Sequence, residues 1–349
     1  MQLKRKEMGR ESFILKAGVS LMATVSLLLF SLFGCRGQEN NANRYASAGP
    51  VVIHRFDKEL LQRLEQGDSI AKDSSFAGQY SLLLQLLEQS LFKAGGRDSA
   101  GSYARLASYY SEPHLHGLYR EAVEKFADVS SIEKALGAAF AYLKAEWPAL
   151  QVPAVYMHVS GLNQNVLVGD SLLSLSIDKY LGSAYPLYQE FFYDYQLRKM
   201  KPDYVAPDYL RAWLLSEFPF EGKETVLLER MIYEGKIIYL LQQALPETSP
   251  DVLFGYAPAE SEWCTKNERA LWRTILERKQ LYTPDLLTTA KYFEEAPARF
   301  LSEDAPGNLG RWLGWRIVSL YMERTGAAPS ALMANADAQD ILAKSRYKP

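Results

Sequence analysis

The sequence predicts an α+β fold, mostly α-helical, with one small sheet. Three observations carry this. Long stretches past residue 56 repeat apolar residues at the helical step of about 100° per residue. Only the segments 51–56, 153–160 and 166–177 read as strands. The stretch 207–246, PDYLRAWLLSEFPFEGKETVLLERMIYEGKIIYLLQQALP, forms two helices around a short loop containing Pro219 and Gly222, and helices so joined pack antiparallel.

The N-terminus reads as an export signal. Lys4, Arg5, Lys6, Arg10 and Lys16 form a basic region, and Ala17 to Gly34 is uncharged and apolar. Leu32-Phe33-Gly34-Cys35 then reads as a lipobox, with Phe33 bulkier than the usual residue before the glycine. Residues 1–34 are thus expected to be a lipoprotein signal peptide, with Cys35 lipidated. The plain alternative, a membrane anchor, is short for a span of about 20 apolar residues. Arg36, Gly37 and Gln38 provide no acidic retention signal, so the expected site is the outer membrane, facing the periplasm. Residues 35–50 are polar and aperiodic, as in a flexible tether.

The chain has two cysteines. With Cys35 carrying lipid, Cys264 has no partner for a disulfide or a cysteine-based zinc site, and reads as a small buried hydrophobe on a helix. A net charge of −2 without a basic stripe argues against a nucleic-acid partner.

Val51 to Phe56 has strand character, and Asp57 is placed to cap the helix that follows. Residues 76–92 put Tyr80, Leu83, Leu84, Leu87 and Leu91 at helical spacing. Two further helical stretches follow, and Ser131 is a good cap for a helix running to Trp147. His114 and His116 could chelate a metal from an extended segment, but beside Pro113 a surface loop is the better reading. Residues 153–161 and 166–178 alternate as a hairpin or two neighbouring strands around the turn 162–165. His158, on the first of them, reads as a half-buried strand histidine, with a place near the glutamates described next as the functional alternative. Residues 185–200 give a helical aromatic stripe of Tyr188, Phe191, Phe192 and Tyr195. Core packing is the simpler account and a peptide- or glycan-binding surface the other.

In the central pair, a helix from Pro207 to Phe218 aligns Leu210, Trp213, Leu214 and Glu217. A second, from about Thr225 to Leu245, aligns Leu227, Met231, Glu234, Ile238 and Leu241. Each helix points one glutamate into an apolar stripe, where a carboxylate must be paired, protonated or metal-bound. Arg211 and Arg316 are the candidate partners, Arg316 standing next to two tryptophans in GRWLGWR. Beyond the pair come a long helix over 261–282, one starting at Thr283-Pro284-Asp285, and one from about Leu309. On the last, Gly310 and Gly314 share a face and allow close contact with a neighbour. A C-terminal helix lies within 326–349.

Glu234-Gly235-x-x-x-Tyr239 resembles the third-ligand helix of gluzincin-type zinc peptidases, and GDSLLSLSIDKYLG and GRWLGWRIV resemble related predicted peptidases. Their His-Glu-x-x-His helix is missing: RAWLLSEFP stands there, and only Glu234 carries over. One carboxylate cannot hold zinc, which takes three or four protein ligands. The resemblance therefore implies a degenerate peptidase-like frame over about 151–325, preceded by a helical lobe over about 51–150, with no catalytic residue, metal or cofactor.

VVIHRFDKEL, YMHVSGLNQNVLVGDSLLSLSIDKYLG, RAWLLSEFP, MIYEGKIIYLL, EWCTKNERALW, APGNLGRWLGWRIVSLYME and AQDILAKSRYKP, in this order, resemble the gliding motility lipoprotein GldB family of the Bacteroidetes. The resemblance also takes in the lipobox and covers nearly the whole mature chain. It implies an envelope lipoprotein that is not an enzyme and works with proteins of the gliding and type IX secretion machinery, held to the membrane by its lipid. A metal-dependent hydrolase using His158, Glu217 and Glu234 is the contrasting hypothesis, and the missing histidine pair weighs against it. A mature chain of about 300 residues is long enough to bury one large core.

Overall fold

The computed structural model describes residue 45 and residues 48–67, 74–92, 99–163 and 166–349. The expected signal peptide, Cys35 and most of the tether lie outside the described residues. The fold is α+β and mostly helical, with one four-stranded mixed sheet.

Strand β1 is short, Ile53–His54, because Phe56 already opens helix α1 (Phe56–Gln66). Asp57 does not cap it. It lies inside the first turn, fully buried, and its carboxylate accepts from Arg55, 2.5 Å away. The single helix expected over 76–92 is two, α2 (Ser74–Gln79) and α3 (Ser81–Phe92), broken at Tyr80. Tyr80 is buried there, and its hydroxyl donates to Glu59 at 2.7 Å.

Helices α4 (Ser99–Tyr110), α5 (Pro113–Lys125) and α6 (Ser130–Glu146) complete the N-terminal part. His114 and His116 stand at the start of α5, not in a loop. The helix is capped by Glu112, whose carboxylate accepts from the Leu115 N–H at 2.7 Å. Residues two apart on a helix do not face each other, so the pair cannot converge on one ion. At α6 the cap is Val129, without a side-chain bond, instead of Ser131; Asp128 accepts from the Ser130 N–H.

The sheet corrects the hairpin reading. Strand β2 (Ala154–His158) runs parallel to β4 (Leu172–Ser176), and the hairpin is the antiparallel pair β3 (Val166–Gly169) and β4. What reads as one strand over 166–178 turns back at Asp170-Ser171, where Ser171 takes φ 58°. Strand order is β1-β2-β4-β3, and all five residues of β4 are buried.

The aromatic stretch breaks into α7 (Pro186–Phe191) and α8 (Asp194–Leu197). Only Tyr188 of the expected stripe is fully buried, in a small cluster with Leu197 and Met200, while Phe191 is 66% exposed and neighbouring Tyr193 71%.

Helices α9 (Val205–Glu217) and α10 (Leu227–Ala244) are the expected central pair. Helix α10 buries Leu227, Met231, Ile237, Ile238 and Leu241 among others and is the axle of the molecule. After α11 (Pro250–Phe254), α12 (Pro258–Glu277) and α13 (Leu286–Lys291), α14 (Leu309–Thr325) packs along α10 in the most extensive helix contact. Glycine makes this possible: a Cβ on Gly314 would collide with the Met231 carbonyl, and one on Gly235 with the backbone of Gly314. Gly310 faces the Phe293 ring instead. The C-terminal helix is two, α15 (Pro329–Ala334) and α16 (Ala338–Ser345), the second capped by Asp337. One hydrophobic core runs from Ile53 to Tyr347. No helix among the described residues is long and apolar enough to cross a membrane.

Candidate functional site

Glu234, in the middle of α10, is buried and accepts hydrogen bonds from two arginines. Arg211 Nη2 on α9 is 2.9 Å from its Oε2, and Arg311 Nε on α14 is 3.1 Å from the same oxygen. The three helices that meet at the core thus each contribute one charge. Burial pushes the Glu234 carboxyl up, but Arg311 and Arg211 outweigh it and hold the group below its ordinary value. It is ionised at neutral pH, and Glu295 is a second carboxylate within electrostatic reach of both arginines.

Arg211 also lines a cleft of about 310 Å³ between the turn at Ile177–Lys179, α8, α9 and the segment carrying Glu295. Lys199 and Glu295 form an ion pair there at 2.5 Å. Asp208 accepts from the Tyr180 hydroxyl at 2.7 Å; burial raises its pKa, against that bond and the nearby Lys199 and Arg211. Lys179 also lines the cleft, its Nζ 5.4 Å from the centre of the Phe192 ring, and burial lowers its pKa. Beside the cleft, Tyr193 stacks on Tyr195 with rings nearly parallel, and Phe191 stands free. The cleft can hold a small polar group or a peptide side chain by charge and hydrogen bonding, with aromatic rings at its edge.

The four residues singled out from the sequence are not brought together. Glu217 is exposed near the C-terminal end of α9, pointing away from the apolar stripe expected for it. Arg316 does not pair with Glu234. Its Nε donates to Glu268 on α12 at 2.9 Å, and its guanidinium lies about 6 Å from the rings of Trp312 and Trp315. Tyr347 donates to the same Glu268, tying down the C-terminus.

His158 is fully buried, not half-buried, and lies in a different polar cluster. Its Nδ1 is 2.8 Å from Ser174 Oγ, and burial holds its pKa at about 3, so the ring is neutral. Next to it, the Ser176 hydroxyl donates to Asp178 and accepts from the Ser160 hydroxyl, and Asp178 accepts from the Ser160 and Leu162 amides. These bonds fasten the turn after β2. Cys264 is buried, as expected of a small hydrophobe, and burial pushes its thiol up to about 12, against a hydrogen bond with Tyr256.

Sequence reasoning missed Arg311, Lys199, Glu295 and Asp208. Arg311 had a signal: it lies three residues before Gly314, hence on the α14 face that approaches α10. Lys199 and Glu295 had none, because loops bring them together across about a hundred positions of chain. Among the described residues no group of three or more His, Cys, Asp and Glu is placed to hold a metal ion.

A family model described as gliding motility protein GldB matches residues 38–349. No curated protein and no solved structure matches the chain.

Proposed function

The chain belongs to the GldB family of gliding motility proteins, and from that premise we propose that it is a lipid-anchored envelope protein that works by binding other proteins and not by catalysis. The family description supports the cell envelope and gliding. The finer reading puts the chain on the periplasmic face of the outer membrane, anchored through Cys35, within the gliding and type IX secretion machinery.

The observation that carries the non-catalytic part is the state of Glu234. It is the one carboxylate shared with the zinc-peptidase helix, and Arg211 and Arg311 already occupy it. With both arginines on its Oε2, Glu234 acts as a charge-paired part of the scaffold. The binding surface is the cleft at Arg211 with the exposed rings of Phe191 and Tyr193 beside it.

Two measurements test this. Cys35→Ala should leave an unprocessed precursor and abolish acyl labelling; a variant still acylated and cleaved ends the anchoring reading. A photoreactive residue at Phe191 or Tyr193 should cross-link in cells to a discrete envelope protein. Loss of that product on Lys199→Glu, in a protein of unchanged melting point, ties the contact to the cleft. No product from either position speaks against this surface.

A further inference from the structure

Lys236 is a buried cation that takes no part in the cluster around Glu234 or in the cleft at Arg211. It lies on α10, two residues past Glu234, and only 7% of it is exposed. Its Nζ donates to the Asn335 carbonyl at 2.6 Å, in the link between α15 and α16, and it has no ion-pair partner among the described residues. Burial alone lowers its pKa, to about 8. An ammonium removed from water without a counter-charge is a standing cost to the fold, and one carbonyl uses only one of its three N–H donors.

The group forms part of the wall of a second cleft, of about 430 Å³, which shares no lining residue with the first. Phe218, Phe220, Tyr233 and Met333 give it apolar sides. Glu217, Glu221 and Glu229 also line it, Glu217 and Glu221 exposed and Glu229 half-buried. The cation is thus the deep charge and the anions the shallow ones.

We propose that this cleft binds a mixed-charge peptide segment, with a carboxylate seated on Lys236 and a neighbouring cationic side chain among the three glutamates. Charge complementarity selects this occupant. A simple anion such as phosphate would have to pass three like charges, and a purely cationic ligand would leave Lys236 uncompensated. The apolar sides suit the peptide backbone and side-chain stems between the two charges. The cleft lies between the α9–α10 loop and the α15–α16 link, so the occupant would clamp the C-terminal helices to the central pair.

The test uses the full chain in detergent and two blocked dipeptides, acetyl-Glu-Lys-amide and acetyl-Lys-Glu-amide, titrated by calorimetry and by amide chemical shifts. At least one should bind and shift residues of 217–236 and 333–338. Replacing its Glu by Gln, or Lys236→Met in the protein, should weaken binding by about tenfold or more, as expected for a lost charge-assisted hydrogen bond. Lys236→Met should melt no lower than the parent, because it removes a buried charge and keeps the volume. If that variant fails to fold, the Gln dipeptide on the parent protein decides. No binding at millimolar dipeptide, equal binding of the Gln dipeptide, or equal occupancy by sodium phosphate alone each overturns the proposal. Because the two clefts are separate, such a failure leaves the reading at Arg211 and Cys35 untouched.

Discussion

A carboxylate enclosed by two guanidinium groups loses little by being buried as long as both remain. Removing it leaves Arg211 and Arg311 facing each other with no anion between them. Glu234→Ala should therefore cost roughly 3–5 kcal/mol, the range for breaking a buried ion pair, read as a shift in the denaturant midpoint. Glu234→Gln retains shape and hydrogen-bonding capacity and should cost clearly less; equal losses would show that shape and hydrogen bonding contribute nothing and the charge carries the whole effect. The pH dependence has a definite sign. The folded pKa of Glu234 lies below its ordinary 4.5, so its stabilisation is complete above that value and disappears as pH falls through the folded pKa. Asp57, Asp178 and Asp208, whose pKa values are raised by burial, act in the opposite direction. The clean measure is therefore the difference in melting point between the parent and Glu234→Gln, which should shrink below pH 4.5 and stay constant between pH 6 and 8. The buried glutamate was legible in the sequence, because a charge within an apolar stripe at helical spacing is conspicuous. Its partner was legible only in part. The sequence points to Arg211, and to Arg316 where the structure has Arg311. Five residues along a helix is about 140° around it, so Arg316 faces α12 and Glu268 instead.

At the level of elements, the crossing of α10 and α14 is set by glycine on both helices. Gly314→Ala would force the backbones apart at Met231, at a cost of about 1–3 kcal/mol or more for overpacking. Gly117 on α5 is the control: a Cβ there meets nothing within 4 Å, and Ala should stabilise by about 0.5–1 kcal/mol through helix propensity. If both substitutions shift the midpoint alike, close approach is not what holds the pair together. The helices of the central pair were readable because each carries a strong periodic stripe over several turns. Elements that depend on a local break were not. The β3–β4 hairpin hides within an alternating run because its turn needs only two residues, and Gly169-Asp170-Ser171 reads equally well as an irregular strand. The 185–200 stripe has helical period, but Tyr188 donates its hydroxyl to the Asp178 carbonyl and fills the buried slot, and Leu197 and Met200 complete the cluster. That leaves Phe191 and Tyr193 outside, where tertiary packing overrides local pattern.

For the whole molecule, one large core wraps α10; the second cleft is lined in part by that helix, and the first by α9. Among the described residues no group of three or more His, Cys, Asp and Glu is placed to hold a metal ion, so a chelator should leave the melting point unchanged; stoichiometric zinc lost together with stability would reverse that expectation. Glu234 is proposed to serve the fold and not a reaction. The most direct measurement replaces the gene copy with Glu234→Gln and scores gliding alongside protein abundance and melting point. Gliding should persist wherever the variant is folded and present at the parent level. A stable, normally abundant Glu234→Gln protein in cells that no longer glide would contradict it and bring back the hydrolase.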